Sequence, residues 1–170
     1  KGRPDARFMQ GVVKTRELPT AVANAADHYV VLEPDKEPRF MTVQEVARSF
    51  GVPEKGPLNN ALYTEKGVLS AVQAVECLGR SVHVGVARQI LKMLKGEGLL
   101  PSGLLYGSAF SGIDTFAAAV EAETDSIWTY LFASESRDSS RRGLSAAWEV
   151  RGLWPHMVFE DALGRDAVGA

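Results

Sequence analysis

Several things are scarce in this sequence, and each scarcity excludes a class of protein. The 170 residues contain one cysteine, Cys77, so no internal disulfide can form, and a reducing compartment fits this composition. No apolar run approaches the length of a membrane span, and no signal peptide is visible. The formal net charge is −2, so no overall basic character indicates a nucleic-acid partner. We therefore expect an intracellular protein, cytoplasmic or nuclear.

The rest of the composition is that of an ordinary globular domain. Hydrophobic residues make up 45% of the chain and charged residues 24%, and 170 residues suffice for one domain with a buried core. We find no internal repeat and no low-complexity segment. Basic residues outnumber acidic ones in residues 1–17, which we interpret as a lead-in segment.

The most informative stretch runs from Leu104 to Glu121. It begins as a short apolar run typical of a buried parallel strand, turns at Ser111-Gly112, and continues in an alanine-rich segment that favours a helix. A strand, a tight glycine turn and a helix form the first half of a nucleotide-binding unit. The turn lets a ligand approach the backbone, and the helix N-terminus offers unpaired N–H groups.

Acidic residues follow two further predicted strands. Residues 127–134 predict a buried strand that ends at Glu135, and residues 157–159 predict a short strand that leads into Glu160-Asp161. The carboxylate of Glu135 is placed to accept hydrogen bonds from ribose hydroxyls. The carboxylate of Asp161 is placed to accept one from an exocyclic amine such as that of adenine. Each acid alone is more often a solvated strand-end group. Three strand ends in order, carrying glycine, acid and acid, favour a nucleotide site.

These strand ends resemble the DNA cytosine-5 methyltransferases. Phe110-Ser111-Gly112-Ile113-Asp114-Thr115-Phe116 is similar to their first motif, Phe-x-Gly-x-Gly-Gly-Phe, with Asp114 and Thr115 at positions where the family has glycines. Residues 131–135 resemble the second motif, and residues 158–162 the third. In the family these motifs bind S-adenosylmethionine.

Residues 39–53 predict a helix that begins with the capping box Thr42–Glu45 and ends at Gly51. The segment resembles the family's ninth motif, which shares the residues Arg39, Thr42, Glu45, Ala47, Arg48, Gly51 and Pro53. It is also compatible with the first helix of a helix-turn-helix DNA-binding unit. That alternative needs a second helix after a short turn, and Pro53-Glu54-Lys55-Gly56-Pro57 is a poor start for one.

Residues 77–94 resemble the tenth motif, a loop followed by a helix. Gly79 and Val82 match the family, whereas Arg80 replaces an asparagine. We interpret His83 as a surface or capping histidine. The spacing predicts an apolar helix face formed by Val86, Ala87, Ile90, Leu91 and Leu94. In the family this loop packs beside the first motif and helps to enclose the cofactor.

The motifs occur in the order ninth, tenth, first, second and third, which is a circular permutation of the usual order. We expect four segments: 1–17, the end of a recognition region; 18–95, with the ninth and tenth motifs; 96–103, a Gly/Pro linker; and 104–170, with the cofactor-binding strand–helix units. The expected fold class is α/β, a Rossmann-like S-adenosylmethionine-dependent methyltransferase fold that is partial and permuted, with a parallel sheet flanked by helices.

The resemblance implies the cofactor-binding part of a DNA cytosine-5 methyltransferase, with DNA as a partner. The implied cofactor-binding residues are Phe110, Ser111, Gly112, Ile113, Asp114, Thr115, Glu135, Ser136, Asp161, Ala162, Ser81 and Val82. The family's Pro-Cys and Glu-Asn-Val motifs do not occur, and we interpret Cys77 as a packed thiol.

The catalytic cysteine must then come from another polypeptide or segment, and we expect the isolated chain to be inactive. Its open sheet edge, expected after the third strand, would be the interface. Two alternatives remain open. One is a catalytically inactive regulatory protein that binds S-adenosylmethionine and a methyltransferase partner, and the other is a helix-turn-helix DNA-binding module.

Overall fold

The computed structural model describes residues 30–31, 37–62, 68–124, 128–148, 155–160 and 167–168. In chain order the elements are β1 (Val30–Val31), β2 (Arg39–Phe40), α1 (Val43–Ser49), α2 (Pro57–Leu62), α3 (Ala71–Gly79), α4 (Val84–Gly96), β3 (Leu105–Ala109), α5 (Thr115–Glu123), β4 (Thr129–Ser134), α6 (Asp138–Trp148), β5 (Met157–Phe159) and β6 (Ala167–Val168). No helix within these residues is long and apolar enough to cross a bilayer. Residues 1–17 lie outside the described part.

The start of α1 confirms the predicted capping box. Glu45 N–H donates to Thr42 Oγ1 at 3.2 Å, and Thr42 N–H donates to Glu45 Oε2 at 2.8 Å. Arg39 reaches the same carboxylate at 2.7 Å, and its hydrogen bond is the main cause that lowers the pKa of Glu45 to about 2. Gly51, with φ of 72°, follows the end of this helix. Strand β1 pairs antiparallel with β2.

The predicted apolar face of α4 is partly wrong. Val84, Ala87 and Leu91 are the buried residues of this helix, whereas Val86 and Ile90 are 55% and 46% exposed. The helix carries apolar side chains on two sides, and its packing against α5 selects which side is buried. Between α4 and β3, residues 97–104 form neither helix nor strand.

The three predicted strands form a parallel sheet. The strand order is β3-β4-β5-β6, in which β3 pairs parallel with β4, and β4 pairs parallel with β5. The expectation of an open edge after the third strand is wrong, because β6 pairs antiparallel with the outer side of β5. Within the described strands the two outer edges of the sheet belong to β3 and to the two-residue strand β6. The fold is therefore mixed α/β, with three parallel strands and flanking helices, and is compatible with a Rossmann-like architecture.

The connections of the sheet place α5 and α6 on the same face. Both crossovers run in the same direction across the sheet, and parallel crossovers are right-handed. On this face the rings of Trp128, Tyr130 and Trp148 pack together, with Trp128 and Trp148 6.0 Å apart at near-perpendicular planes. Helix α2 packs against α6, and its Leu58 and Ala61 are buried in the same core.

The opposite face of the sheet carries apolar side chains that are not part of this core. Phe132 and Phe159 pack edge-to-face with ring centroids 6.2 Å apart. Leu105 and Met157, on the flanking strands, are 64% and 46% exposed. Parallel sheets are normally covered on both faces, so this face is suited to packing against a further layer.

Candidate cofactor site

The turn between β3 and α5 has an unusual backbone. Phe110, Gly112 and Asp114 all have left-handed conformations, with φ of 56°, 59° and 54°. Glycine adopts such angles freely, whereas other residues do so rarely and at an energetic cost. Two non-glycine residues of this kind within five positions mark a strained turn, and strain of this type concentrates at functional sites.

Ser111 holds this turn against the neighbouring strand. Its N–H donates to the carbonyl of Ser134 at 2.8 Å, and its Oγ accepts from the N–H of Ser134 at 3.1 Å. The same hydroxyl donates to the carbonyl of Ser108 at 2.9 Å. Three hydrogen bonds therefore fix Ser111 between the ends of β3 and β4.

Gly112 and Glu135 meet, although 23 positions separate them. Gly112 N–H donates to Glu135 Oε2 at 2.8 Å, and Arg137 N–H donates to Oε1 at 2.8 Å. Glu135 follows β4 directly, and its own N–H donates to the carbonyl of Phe159 at 3.0 Å. Each carboxylate oxygen keeps a second lone pair, so this group can accept further hydrogen bonds from a ligand's hydroxyls.

Asp114 lies beneath the turn and is only 2% exposed. Its carboxyl accepts hydrogen bonds from the hydroxyl of Tyr106 at 2.8 Å, from the hydroxyl of Tyr130 and from Ala117 N–H at 3.1 Å. Burial raises the pKa of Asp114 above its ordinary value, while these hydrogen bonds oppose the shift. The carboxyl oxygens are thus occupied by hydrogen bonds inside the protein and at the start of α5.

The loop after α3 is tied to this turn. Thr115 Oγ1 donates to the carbonyl of Val82 at 2.7 Å, and Ser81 Oγ donates to the carbonyl of Cys77 at 2.7 Å. His83 begins α4 as its N-cap and accepts from Gly85 N–H at 3.0 Å, which confirms it as a capping histidine. The loop carrying Ser81 and Val82 therefore lies against the turn between β3 and α5.

A cavity of about 340 Å³ lies between the loop and the turn. Six of the predicted residues line it, namely Ser81, Val82, Phe110, Ser111, Asp114 and Thr115. Its other lining residues are Arg80, Tyr106, Gly107, Ser108, Ala109 and Phe116. The predicted residues Gly112, Ile113, Glu135 and Ser136 do not line it, and the side chain of Ile113 is fully buried in the core. Asp161 and Ala162 lie outside the described residues.

Sequence reasoning missed two polar side chains of β3, Tyr106 and Ser108. They project from the same side of the strand, since side chains two positions apart share a face. That alternation was visible in the sequence and could have pointed to them. Arg80 was noted only as a departure from the tenth motif, yet it lines the cavity. No cluster of residues that could hold a metal ion occurs in the part of the chain that the structure describes.

Cys77 is confirmed as a packed thiol. It is 4% exposed, its Sγ lies 3.6 Å from Ser140 Oγ, and burial raises its pKa. Reactive cysteines are accessible and have a lowered pKa. The Cys77 thiol is buried and its pKa is raised, so it has neither property of a nucleophile.

The helix-turn-helix alternative needs a second helix with an exposed face, and among the described residues the helix that follows α1 is α2. Helix α2 follows α1, but its Leu58, Ala61 and Leu62 are buried. A recognition helix must present one face to a DNA groove, and four of the five side chains described in α2 are buried, which disfavours this role.

Neither a search of known protein families nor a search of curated proteins finds a match to this chain. The resemblance to the cytosine-5 methyltransferases therefore rests on the five motifs quoted above.

Proposed function

We propose that this chain is the S-adenosylmethionine-binding part of a DNA cytosine-5 methyltransferase. The observation that carries the proposal is the hydrogen bond of 2.8 Å between Gly112 N–H and Glu135. It joins a glycine turn after one parallel strand to an acid after the next, the arrangement that holds a ribose beside a backbone turn.

Aromatic residues around the cavity suit the adenine and the sulfonium of this cofactor. The ring of Phe110 is 77% exposed at the cavity and offers a flat surface on which an adenine can stack. Tyr106 and Phe116 also line the cavity, with their rings parallel at 6.2 Å. Aromatic faces attract cations, so these rings favour a ligand that carries a positive sulfonium.

The start of α5 argues against a nucleotide with phosphates. Such ligands place their phosphates on the free N–H groups of a helix N-terminus. Here Asp114 caps the helix, and its carboxyl already accepts from Ala117 N–H at 3.1 Å. This cap favours an adenosyl compound without phosphates over a dinucleotide.

Methyl transfer to cytosine requires a thiolate nucleophile, and the only cysteine of these 170 residues is the buried Cys77. We therefore propose that another polypeptide or segment supplies the catalytic cysteine and the contacts to DNA. The unpaired edge of β3 and the apolar side chains Leu105 and Phe132 beside it favour a strand-bearing partner at this side of the sheet. A lone chain that stays monodisperse, with slowly exchanging outer amides on β3, would contradict this partner.

The test of cofactor binding is calorimetric titration of the whole chain with S-adenosylmethionine and, separately, with ATP. We expect S-adenosylmethionine to bind and ATP not to bind. Glu135→Ala should weaken binding on the order of tenfold, because the ribose loses a charged acceptor. Glu54→Ala removes an exposed carboxylate that pairs with Arg48 and should leave the affinity unchanged. Absence of binding at millimolar S-adenosylmethionine would refute the cofactor proposal.

A regulatory protein that binds S-adenosylmethionine without catalysis is the second candidate, favoured by the burial of Cys77. Both candidates predict cofactor binding. Adding the strand-bearing partner distinguishes the two candidate functions, because only the enzyme would then transfer a labelled methyl group to cytosine in DNA.

A further inference from the structure

Helix α4 carries a second line of apolar side chains beside the one that packs against α5. Val86, Ile90 and Met93 are separated by four and three positions, so they share one face of the helix. Met93 is 72% exposed, and the other two side chains are half exposed. We call these three residues the α4 stripe. Single exposed apolar residues are ordinary on a protein surface, whereas a continuous line of them marks an interaction site.

Exposed apolar residues also stand at both ends of this helix. Val82 lies just before α4, and Leu99 lies just after it, where its N–H donates to the carbonyl of Leu94 at 2.8 Å. Nine large apolar side chains are exposed in the described part of the chain, and five of them belong to residues 82–99. Exposed apolar surface is therefore concentrated along α4.

The two ends of α4 carry charges of opposite sign. Arg80 lies before the helix and lines the same cavity as Val82, and Glu97 is the C-cap residue of the helix. Both charged side chains are exposed. Glu97 follows Met93 by four positions, so it continues the line of the α4 stripe. Along this line the surface is basic at one end, apolar in the middle and acidic at the other end.

The other cations of α4 are held by α5. Arg88 pairs with Glu123 at 2.6 Å, and Lys92 lies 4.0 Å from the same carboxylate. Lys95 Nζ donates to the backbone carbonyl of Glu123 at 3.4 Å. These contacts draw the cations towards α5, so the α4 stripe itself presents an uncharged surface to a partner.

We infer that the α4 stripe is an interface with a second copy of this chain, in which two α4 helices pack antiparallel about a two-fold axis near Ile90. The inference goes beyond the proposed function and does not depend on it. In a two-fold interface the same patch is used by both copies, so the patch must be complementary to itself. A line with one basic and one acidic end meets this condition, whereas a partner of uniform charge would be repelled by one end.

The apolar residues along α4 follow the same symmetry. Val86 and Met93 lie four and three positions from Ile90 on either side, so Val86 of each copy meets Met93 of the other. Ile90 meets its own copy at the axis. Val82 and Leu99 lie eight and nine positions from Ile90, so they also face each other. Every exposed apolar residue of this segment is thereby paired with another.

The charges determine the relative direction of the two helices. In the antiparallel arrangement, Arg80 of one copy lies near Glu97 of the other, and the helix dipoles oppose each other favourably. A parallel arrangement would place like charges together at both ends. The contact is confined to one helix from each copy and is smaller than the roughly 1,200–2,000 Å² of a stable interface. We therefore expect a weak dimer, with a dissociation constant in the micromolar range.

Sedimentation velocity of the whole chain, from low micromolar to several hundred micromolar, tests the interface. We expect the wild type to pass from monomer to dimer, without larger species. Ile90→Lys places two ammonium groups at the axis and should keep the chain monomeric at every concentration. Leu105→Lys is the matched control, because it makes the same change at another exposed apolar residue and should leave the dimer intact. Circular dichroism melts establish that both variants remain folded.

A charge exchange tests the antiparallel order. Arg80→Glu and Glu97→Arg each bring like charges together at both ends of the dimer, and each should raise the dissociation constant several-fold. The double variant restores opposite charges and should recover the affinity of the wild type. Failure of the double variant to recover would overturn the antiparallel arrangement.

Two further results would overturn the inference. One is a wild-type chain that stays monomeric at several hundred micromolar. The other is a dimer that Ile90→Lys leaves intact or that Leu105→Lys disrupts equally. None of these measurements involves S-adenosylmethionine, so their failure would leave the proposed function untouched.

Discussion

Thr115 Oγ1 donates a hydrogen bond of 2.7 Å to the carbonyl oxygen of Val82. This bond joins the first residue of α5 to the loop before α4, two segments on opposite sides of the candidate site. Because Thr115 is 3% exposed, water competes little for the bond. It directly links the segments that resemble the tenth and first methyltransferase motifs.

Replacing Thr115 with valine keeps the shape of the side chain and removes this link. We expect Thr115→Val to lower the free energy of unfolding by about 1 kcal/mol, which is typical of one lost hydrogen bond. S-adenosylmethionine affinity should fall several-fold, because the loop that lines the cavity is no longer held. Urea denaturation and calorimetric titration measure the two effects.

Thr124→Val is the matched control for this substitution. The hydroxyl of Thr124 also donates to a carbonyl at 2.7 Å, that of Val120, but entirely within the end of α5. We expect a comparable loss of stability without a change in ligand affinity. Equal affinity losses in the two variants would contradict a specific role for Thr115.

A second prediction concerns the backbone of the glycine turn. Gly112 and Gly98 have φ of 59° and 68°, and a methyl group at either position would meet no atom within 4 Å. An alanine at each position therefore introduces backbone strain alone, of about 1 kcal/mol. We expect both variants to lose similar stability in urea denaturation, and only Gly112→Ala to lose affinity for S-adenosylmethionine. An affinity loss in Gly98→Ala would contradict this prediction, because backbone strain far from the site would then also weaken binding of S-adenosylmethionine.

A third prediction concerns how stability depends on pH through Asp114. Its pKa in the folded chain is raised above 3.8, chiefly by burial. Between the unfolded pKa of 3.8 and the higher folded pKa, the folded chain therefore binds more protons than the unfolded chain. The stabilisation from this group is complete below the unfolded pKa and is lost as pH rises through the folded pKa.

Asp114→Asn removes this titration and keeps an oxygen acceptor for Tyr106 and Ala117. We expect the unfolding free energy of the wild type, minus that of the variant, to decrease as pH rises above 3.8. Urea denaturation of both proteins across a pH series measures the difference. A difference that increases with pH would mean that the carboxylate is ionised and stabilised in the fold.

A fourth prediction follows from the burial of Cys77. The native thiol should react with a disulfide reagent at least about a hundredfold more slowly than the thiol of the urea-unfolded chain, because reaction requires opening of the core. Cys77→Ala should leave S-adenosylmethionine affinity unchanged. Rapid labelling of the native chain would contradict the packed position of this thiol beside Ser140.

The sequence was sufficient to predict features that depend on neighbouring residues. The strand, glycine turn and helix around Gly112 are a local pattern, and so is the capping box of Thr42 and Glu45. The placement of Gly112 and Glu135 at one edge of the sheet also followed, since the carboxyl ends of adjacent parallel strands lie together, whereas the hydrogen bond between them was not predicted.

Features that depend on distant packing could not be predicted in the same way. Helix α4 has apolar residues on two sides, and only its contact with α5 decides that Ala87 is buried and Ile90 is exposed. The carboxyl of Asp114 meets two tyrosines because Tyr106 and Tyr130 are register partners in β3 and β4. Strand β6, which covers the edge of β5, is only two residues long and has no detectable periodicity.

The packing of α2 against α6 has a consequence for synthesis of the chain. Helix α2 begins at Pro57, and α6 begins only at Asp138. At about 5–20 residues per second, the ribosome needs roughly 4–16 s to translate the residues between them. Throughout that interval Leu58 and Ala61 lack the surface that covers them in the finished fold, so the N-terminal helices of the nascent chain are a ready substrate for chaperones.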